Sequence, residues 1–248
     1  MAQVKARGLV VKSTNFGESS KILTVLTHEF GKIQVAANNV RRGGGKIGAQ
    51  MFAYSDFSLF KGNKSLYSMN AAECIEPFEL LRGDLEKLSH AAYFADVVCS
   101  VTGEGVADCE LLKLTLNSLH LLCNDTVSAK KIKLVFELRA ISLAGFMPDF
   151  SCCAECKATQ SIVSFDLING VVLCKKCISI APNIAEINDT LRYACEYIST
   201  ADAAKIFSFE MSNELIDYLG EIIERYAALH MDKHLKSLDY LRSVLNKW

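Results

Sequence analysis

Four cysteines stand in two Cys-x-x-Cys pairs, Cys153 with Cys156 and Cys174 with Cys177. The 17 residues between the pairs fall within the spacing typical of a four-cysteine zinc site. Each short pair can supply two thiolates from one turn, and zinc binds four thiolates tetrahedrally. The pattern therefore predicts a closed, structural Zn²⁺ site formed by these four residues.

The segment between the pairs carries two apolar runs on either side of Asn169-Gly170. Asn-Gly between apolar runs is a strong signal for a tight turn. We therefore expect a β-hairpin that delivers the second cysteine pair to the metal. Cys152 adjoins the first pair, and the sequence leaves open whether it can substitute as a ligand.

Two catalytic interpretations of the cysteines compete with the structural one. A redox pair would require a thioredoxin-like βαβ setting, which the surrounding sequence does not have. Cys153-Ala-Glu155 followed by a second pair is similar to the zinc deaminase signature, in which the glutamate is the general acid–base. However, Leu173 stands where that signature has proline, and Cys156 would fill the open coordination position. We expect no catalytic residues, and a deaminase-like zinc enzyme is the alternative.

Length and composition limit the class of protein. The chain has 248 residues, of which 50% are hydrophobic, with only three prolines and ten cysteines. This gives room for one large domain or two to three small ones, with a substantial core. We expect a cytoplasmic protein, because no apolar run is long enough to span a membrane and no apolar leader follows Met1. Reduced cysteines in that compartment favour metal binding over disulfides.

Charge is divided unevenly along the chain. Residues 1–80 contain ten Lys or Arg and six Asp or Glu, a net charge of +4, whereas the remainder carries −5. A basic segment followed by an acidic one indicates that a polyanion would bind mainly to residues 1–80. Ordinary variation of surface charge is the alternative explanation.

The first eighty residues have the pattern of a β domain. Five short apolar runs, at residues 8–11, 22–26, 33–36, 51–60 and 66–69, are separated by polar connections. Five strands with one long loop in this length fit a small closed barrel, of which the OB-fold is the leading type. An SH3-like barrel would give a similar pattern. We expect a DNA-binding OB-fold over residues 1–80.

From residue 82 the apolar residues recur with the period of helices. Three helices are expected before Gly145-Phe146-Met147-Pro148, which is a helix stop. Further helices are expected at 187–198, around 215–229 and at 237–245. The fold class is therefore α+β, with a five-stranded OB-fold barrel followed by a helical domain at 81–248. A zinc-binding segment at 150–180 is inserted in the helical domain.

The second informative segment is the basic loop at residues 38–46, which contains Arg41, Arg42, three consecutive glycines and Lys46. It is not a P-loop, because Lys46 is followed by Ile47 rather than serine or threonine. Glycines allow close approach to a ligand, and the three cations attract phosphate. Such a loop beside a small barrel suits single-stranded nucleic acid.

Aromatic residues near the basic loop are candidates for stacking on bases. These are Phe16, Phe30 and Tyr54. Burial in the barrel core is the alternative for each of them, since aromatic residues also dominate protein cores.

Over nearly its full length, the chain resembles the RecO family of bacterial recombination mediators. The motifs that carry the resemblance come in the family's order: Gly8 to Val11, Asn15 to Leu23, Thr27 to Lys32, Ala72 to Phe78, Phe136 to Arg139, Gly145 to Pro148, the two cysteine pairs, and His234 to Ser237. There is one departure. Many members have Lys-Gly-Ala-Arg-Arg where this chain has Asn38-Asn-Val-Arg-Arg42.

The resemblance implies a non-enzymatic mediator of DNA repair and homologous recombination in the bacterial cytoplasm, associated with the nucleoid. Such proteins bind single- and double-stranded DNA and anneal complementary strands. With RecR, they help to load RecA onto DNA coated by the single-strand-binding protein SSB. A zinc-stabilised interaction scaffold without DNA affinity is a further alternative.

The resemblance also implies where the partners bind. The barrel would contact RecR and DNA, and the candidate DNA-binding residues are its basic side chains: Lys12, Lys21, Lys32, Arg41, Arg42, Lys46, Lys61 and Lys64. The C-terminal tail of SSB would dock on the helical part. That acidic, apolar-ended tail requires a hydrophobic groove with a cation at its rim, and Arg139 is the candidate for the cation.

Overall fold

The computed structural model describes residues 2–40, 47–62, 65–178, 183–231 and 234–245. Its first five strands form a closed barrel in the order β1-β2-β3-β5-β4. The strands are β1 (Ala2–Phe16), β2 (Ser20–Thr27), β3 (Gly31–Ala37), β4 (Tyr54–Lys61) and β5 (Leu66–Glu76). Neighbouring strands are antiparallel except for β3 and β5, which are parallel. This arrangement confirms the predicted OB-fold.

The barrel core follows from alternation along the strands. In β3, every second residue is buried, as expected of a strand with one face in a core. The interior is filled mainly by aliphatic side chains with two aromatic rings. The buried members of this core are Ala6, Val10, Leu23, Val25, Ile33, Val35, Ala37, Val40, Ala49, Phe57, Leu59 and Tyr67.

The first strand is longer than its apolar run and contains a bulge. Val10 pairs with Val25 and Lys12 with Thr24, so Val11 is an extra residue in β1. A bulge adds local twist and lets one strand take part in both edges of a barrel. β1 accordingly pairs with β2 along its second half and with β4 along its first half.

Six helices follow the barrel in the described part of the chain. They are α1 (Leu85–Val101), α2 (Cys109–Asn124), α3 (Ala129–Ile141), α4 (Asp189–Thr200), α5 (Asn213–His230) and α6 (Lys236–Leu245). Side-chain caps begin five of them, from Asp84, Asp108, Ser128, Asn188 and Ser212. None of these helices is both long and apolar enough to cross a lipid bilayer.

A second sheet of four strands has the order β6-β8-β7-β9. The strands are β6 (Asp149–Cys153), β7 (Ile162–Asp166), β8 (Val171–Cys174) and β9 (Ile184–Glu186). β7 and β8 form the predicted hairpin, which is confirmed. β6 and β9 pair with β8 and β7, respectively, on its outer edges. The sequence pattern did not reveal these flanking strands.

The chain divides into two compact units. Unit one comprises residues 1–124 and 235–248, and unit two comprises residues 125–234. Unit one therefore holds the barrel with α1, α2 and α6, and unit two holds α3, the second sheet, α4 and α5. The predicted domain boundary after residue 80, which lies between β5 and α1, stays a prediction.

Within unit one, the turn between β2 and β3 is locked to the α1–α2 connection. The amide of Gly105 donates to the carbonyl of Lys32 at 3.1 Å. Gly31 has a φ of +63°, and a Cβ at this position would overlap the main-chain carbonyl of Val106. Glycine is therefore required here both for backbone conformation and for space.

We predict that Gly31→Ala lowers the free energy of unfolding by about 3 kcal/mol, because left-handed strain and overlap with main chain add together. Gly17→Ala is the matched control. Gly17 has a similar φ of +61°, but no described atom lies within 4 Å of its Cβ position. The control should cost only ~1 kcal/mol. Urea denaturation measures the free energy of unfolding of both variants. Equal losses in the two variants would contradict the close contact between the β2–β3 turn and the α1–α2 connection.

Candidate metal centre and nucleic-acid interface

The four predicted cysteines come together in unit two. Their Sγ atoms all lie within 4.8 Å of one another. The Sγ atoms of Cys156 and Cys174 are 3.6 Å apart. Four sulfurs on a tetrahedron with metal–sulfur bonds of about 2.3 Å would be separated by roughly 3.8 Å. The group therefore fits a tetrahedral metal ion held by four thiolates.

Two similar turns form the group. Cys153 ends β6, and its carbonyl accepts from the amide of Lys157 at 2.9 Å. Cys174 ends β8, and its carbonyl accepts from the amide of Cys177 at 2.9 Å. In both pairs the first cysteine is buried, while the second is more exposed. Each strand end thus fixes one sulfur, and the following turn folds the second sulfur back beside it.

The electrostatics of the group favour thiolates at the strand ends. Burial opposes ionisation of Cys153, but the amides of Cys156, Cys174 and Glu155 outweigh it and lower its pKa to about 6. The amide of Lys176 likewise lowers the pKa of Cys174. Hydrogen bonds from its thiol to the sulfurs of Cys156 and Cys174 raise the pKa of Cys177 to about 12. A divalent cation bound to the four sulfurs would displace the thiol protons that remain, since the ligands of a metal must be deprotonated.

Cys152 lies outside the four-sulfur group. It is half-buried beside Ser151, whose hydroxyl donates to its sulfur at 3.7 Å. The group is a closed set of four thiols, a donor set that suits Zn²⁺ or an iron–sulfur centre. Because protein ligands take all four coordination positions, such a centre has a structural role.

Two residues that the sequence analysis did not single out support the metal group. Arg192 on α4 is 3% exposed and donates from Nη1 to the carbonyl of Phe150, in β6, at 2.8 Å. Tyr226 on α5 donates to the carbonyl of Phe146 at 2.8 Å, and its ring lies 5.2 Å from that of Phe165. Burial raises the pKa of Tyr226 to about 12, so it stays a donor. Nothing in its sequence context marks Arg192 as buried, whereas Tyr226 falls on the apolar face of α5, which indicates burial but not its hydroxyl contact.

The predicted DNA-binding residues fall into two groups. Arg41, Arg42, Lys46 and Lys64 lie outside the described residues. Lys12 and Lys61 are exposed and Lys21 is half-buried, all on barrel strands. Lys12 and Lys21 both belong to the β1–β2 hairpin, whereas Lys61 ends β4, with its ammonium 5.8 Å from the Tyr67 ring.

Lys32 differs from the other basic candidates. Its ammonium donates to the carbonyl of Cys99 at 2.7 Å and to that of Thr102, at the end of α1. These carbonyls lie at the negative end of the helix dipole. A phosphate would have to displace both of them, so Lys32 contributes to unit one chiefly as a helix-end contact.

The tip of the β1–β2 hairpin meets the start of the basic loop. The hydroxyl of Ser20 donates to Asn38 at 3.2 Å, and that of Ser19 donates to Asn39 at 3.1 Å. Lys21 pairs with Ala37, the last residue of β3. The chain therefore enters the 41–46 segment directly beside the hairpin tip.

The three aromatic candidates have different surroundings. Phe16 is 64% exposed at the end of β1. Phe30 is packed against the barrel core, with its ring 6.1 Å from that of Tyr67. Tyr54 is half-buried and lines a groove on the barrel. Only Phe16 presents most of its side chain to solvent.

The groove beside Tyr54 has a volume of about 700 Å³ and lies over β1, β4 and β5. Its charged side chains have both signs. Arg7 donates to both carboxylate oxygens of Asp56, at 2.7 and 2.8 Å, and this pairing lowers the pKa of Asp56. Glu29 and Glu73 also line the groove. The mixed charge makes it a poor phosphate site.

Arg139 lies on α3 and is half-buried. Its Nη1 donates to the carbonyl of Ser199, and the carbonyl of Ile198 is 3.4 Å away. The guanidinium thus interacts with the C-terminal end of α4. The described hydrogen-bond partners of Arg139 are therefore main-chain carbonyls.

Comparison with known proteins agrees with this architecture. The model of the family "Recombination protein O N terminal" matches residues 1–78, and "Recombination protein O C terminal" matches residues 82–239. A protein of Acetivibrio thermocellus named DNA repair protein RecO is 34% identical over 247 residues, covering 98% of both chains. Proteins of the same name from Alkaliphilus metalliredigens and Caldicellulosiruptor saccharolyticus are 31% and 32% identical, each covering at least 97% of both chains.

The chain therefore belongs to the RecO family. The two family models together span the barrel, the helices and the four-cysteine group, so the predicted resemblance is confirmed.

We predict that Cys156→Ser reduces bound metal from about one ion per chain to less than about a tenth, because the site loses one of four ligands. Cys156 is exposed, so the substitution removes little packing. Cys152→Ser is the control and should retain the metal. Elemental analysis after gel filtration measures both variants. Full metal content in the Cys156 variant would contradict the four-thiolate assignment.

Proposed function

We propose that this RecO-family chain is a non-enzymatic mediator of DNA repair and homologous recombination. It binds single- and double-stranded DNA and anneals complementary strands. With RecR, it helps to load RecA onto SSB-coated DNA. The observation that carries the proposal is the junction of the β1–β2 hairpin tip with the start of the basic loop, since Asn38 and Asn39, which precede Arg41 and Arg42 in the sequence, contact the tip next to Lys21.

The loops between the barrel strands support this proposal. OB-folds bind oligonucleotides with the face of the second and third strands and with the loops between strands one and two and between strands four and five. In this barrel those two loops lie next to Lys21 and Lys61, respectively, and Lys64 is in the second loop. A DNA strand crossing the barrel from one loop to the other would meet cations at both ends.

The chemistry of annealing requires positive charge rather than a catalytic group. Two strands repel each other through their phosphates, and a surface of lysine and arginine reduces this repulsion while releasing condensed counterions. Binding of this kind weakens steeply as salt is raised. The side chains proposed for the surface are Lys12, Lys21, Arg41, Arg42, Lys46, Lys61 and Lys64, with Lys32 a weaker member because of its contacts with α1.

We assign the four-cysteine group to structural Zn²⁺. A closed tetrathiolate set suits zinc, which has no redox chemistry, and leaves no position for substrate. The ion would tie β6 to β8, while Arg192 and Tyr226 connect the same sheet to α4 and α5. The metal then stabilises unit two and takes no part in DNA binding.

For the SSB tail we propose a site near Arg139, at the end of α4. The tail is acidic and apolar, so it requires a cation at the rim of a hydrophobic surface. Arg139 has five N–H donors, and the described contacts involve only Nη1. The remaining face of the guanidinium is the proposed contact for a carboxylate.

We predict that Arg41→Ala/Arg42→Ala weakens single-stranded DNA binding and slows annealing of complementary oligonucleotides. Loss of two phosphate contacts should reduce the slope of log affinity against log salt by about 1.4. Fluorescence anisotropy and a strand-annealing assay, with and without SSB, measure the two effects.

The matched control is Lys205→Ala/Arg225→Ala, which removes two exposed cations from unit two. This control should bind and anneal like the wild type. The proposed surface is wrong if both double variants show the same affinity and salt slope, and the mediator function is wrong if the wild type does not anneal at all.

We predict that Arg139→Ala lowers affinity for a fluorescent peptide of the SSB tail by about tenfold, since one charge-assisted hydrogen bond contributes about 1.5 kcal/mol. DNA affinity should be unchanged. Because Arg139 also contacts the end of α4, the melting temperature is measured in parallel. Undiminished peptide binding by a folded Arg139 variant would exclude this site.

A further inference from the structure

Phe16 is the most exposed of the large hydrophobic side chains that the structure describes, with 64% of its surface accessible. It stands at the last position of β1, immediately before the hairpin turn. The other two aromatic candidates do not share this feature, because Phe30 packs against the barrel core and Tyr54 lines the mixed-charge groove.

The strand register defines the surface around this ring. Phe16 pairs with Ser20, and Thr14 pairs with Ile22. Residues at alternate positions of a strand share a face, and cross-strand partners lie on that same face. Ile22 in turn pairs with Ala36 of β3. Near the hairpin tip, the outer face of the barrel thus combines one exposed ring with small hydroxyl and aliphatic side chains.

The hairpin tip is held in place by polar contacts. Ser19 and Ser20 donate to the side chains of Asn39 and Asn38, at 3.1 and 3.2 Å. Gly17 takes a φ of +61°, which turns the chain directly after Phe16. A ring on an anchored tip loses little conformational entropy when it binds a flat partner.

Positive charge lies near the ring in the sequence. Lys12 shares the outer face of β1 with Phe16, whereas Lys21 pairs with Asn15 and so lies on the opposite face of the hairpin. Between residues 12 and 27, Glu18 is the one acidic residue. Asn38 and Asn39, which contact the tip, lead into the segment that contains Arg41, Arg42 and Lys46. A flat apolar group with flanking positive charge matches a nucleobase with its phosphates.

We propose that Phe16 is a base-stacking residue that reads unpaired nucleotides. This inference rests on the proposed DNA-binding function and deepens it. Phosphate contacts are made by duplex and single strand alike, but a base inside a duplex is already stacked on both faces. The ring therefore adds affinity only for unpaired bases, so the barrel should bind a single strand more tightly than a duplex with the same number of phosphate contacts.

The test compares oligo-dT with an abasic oligonucleotide of the same length, which keeps the phosphates and removes the bases. Phe16→Ala should weaken binding of oligo-dT by roughly 5- to 150-fold, the loss typical of one stacking contact. It should leave the abasic strand, the duplex and the salt slope unchanged. Phe16→Trp should retain binding of oligo-dT. Fluorescence anisotropy measures all of these.

Tyr240→Ala is the control, because it removes a ring that is 52% exposed on α6. It should bind every DNA like the wild type. Wild-type affinity of Phe16→Ala for oligo-dT would overturn the stacking role, and so would equal losses on oligo-dT and abasic DNA. If the wild type bound neither oligonucleotide in a salt-dependent way, the proposed function itself would fail.

Discussion

The parallel pairing of β3 with β5 closes the barrel, and closure decides which side chains of the first eighty residues face inward. Val35 lies opposite Tyr67 in this pairing, and both belong to the buried core. Once the interior is filled, the remaining polar and basic side chains are directed to the outside and to the ends. The antiparallel pairing of β2 with β3 brings the end of β3 beside the start of β2, so that Asn38 and Asn39 contact the hairpin tip. The proposed DNA surface therefore follows from the strand pairing of the barrel.

Unit two depends on the links that hold its small sheet together and connect it to the helices. Its sheet has only four short strands, and a sheet of this size buries little apolar surface by itself. Two of its strand ends carry the first cysteine of each pair, and a metal bound there would link β6 to β8. Arg192 extends the connection to α4, and Tyr226 extends it to α5. A metal in this group would therefore hold the small sheet together, while Arg192 and Tyr226 connect that sheet to the helices.

Sequence reasoning succeeded where a local pattern has one structural solution. The cysteine spacing, the Asn-Gly turn and the alternation in the first eighty residues led to the four-sulfur group, the hairpin and the barrel. Prediction from the sequence failed where contacts between residues distant in the sequence determine the structure. β1 extends to Phe16 because its polar second half pairs with β2, and Lys32 donates to carbonyls at the end of α1, a contact that its sequence context does not indicate. The predicted contact of Lys32 with DNA stays a prediction. β9 has only three residues, too few for a periodic signal.

The central claim is that single-stranded DNA binds to the barrel at the β1–β2 hairpin tip. Hydrogen exchange followed by mass spectrometry, with and without oligo-dT at saturating concentration, tests this most directly. The account predicts slower exchange in peptides that cover residues 12–22 and 34–46, and unchanged exchange in α4 and in the four-cysteine segment. Protection confined to the helices or to the metal segment, with the hairpin tip unaffected, would contradict it.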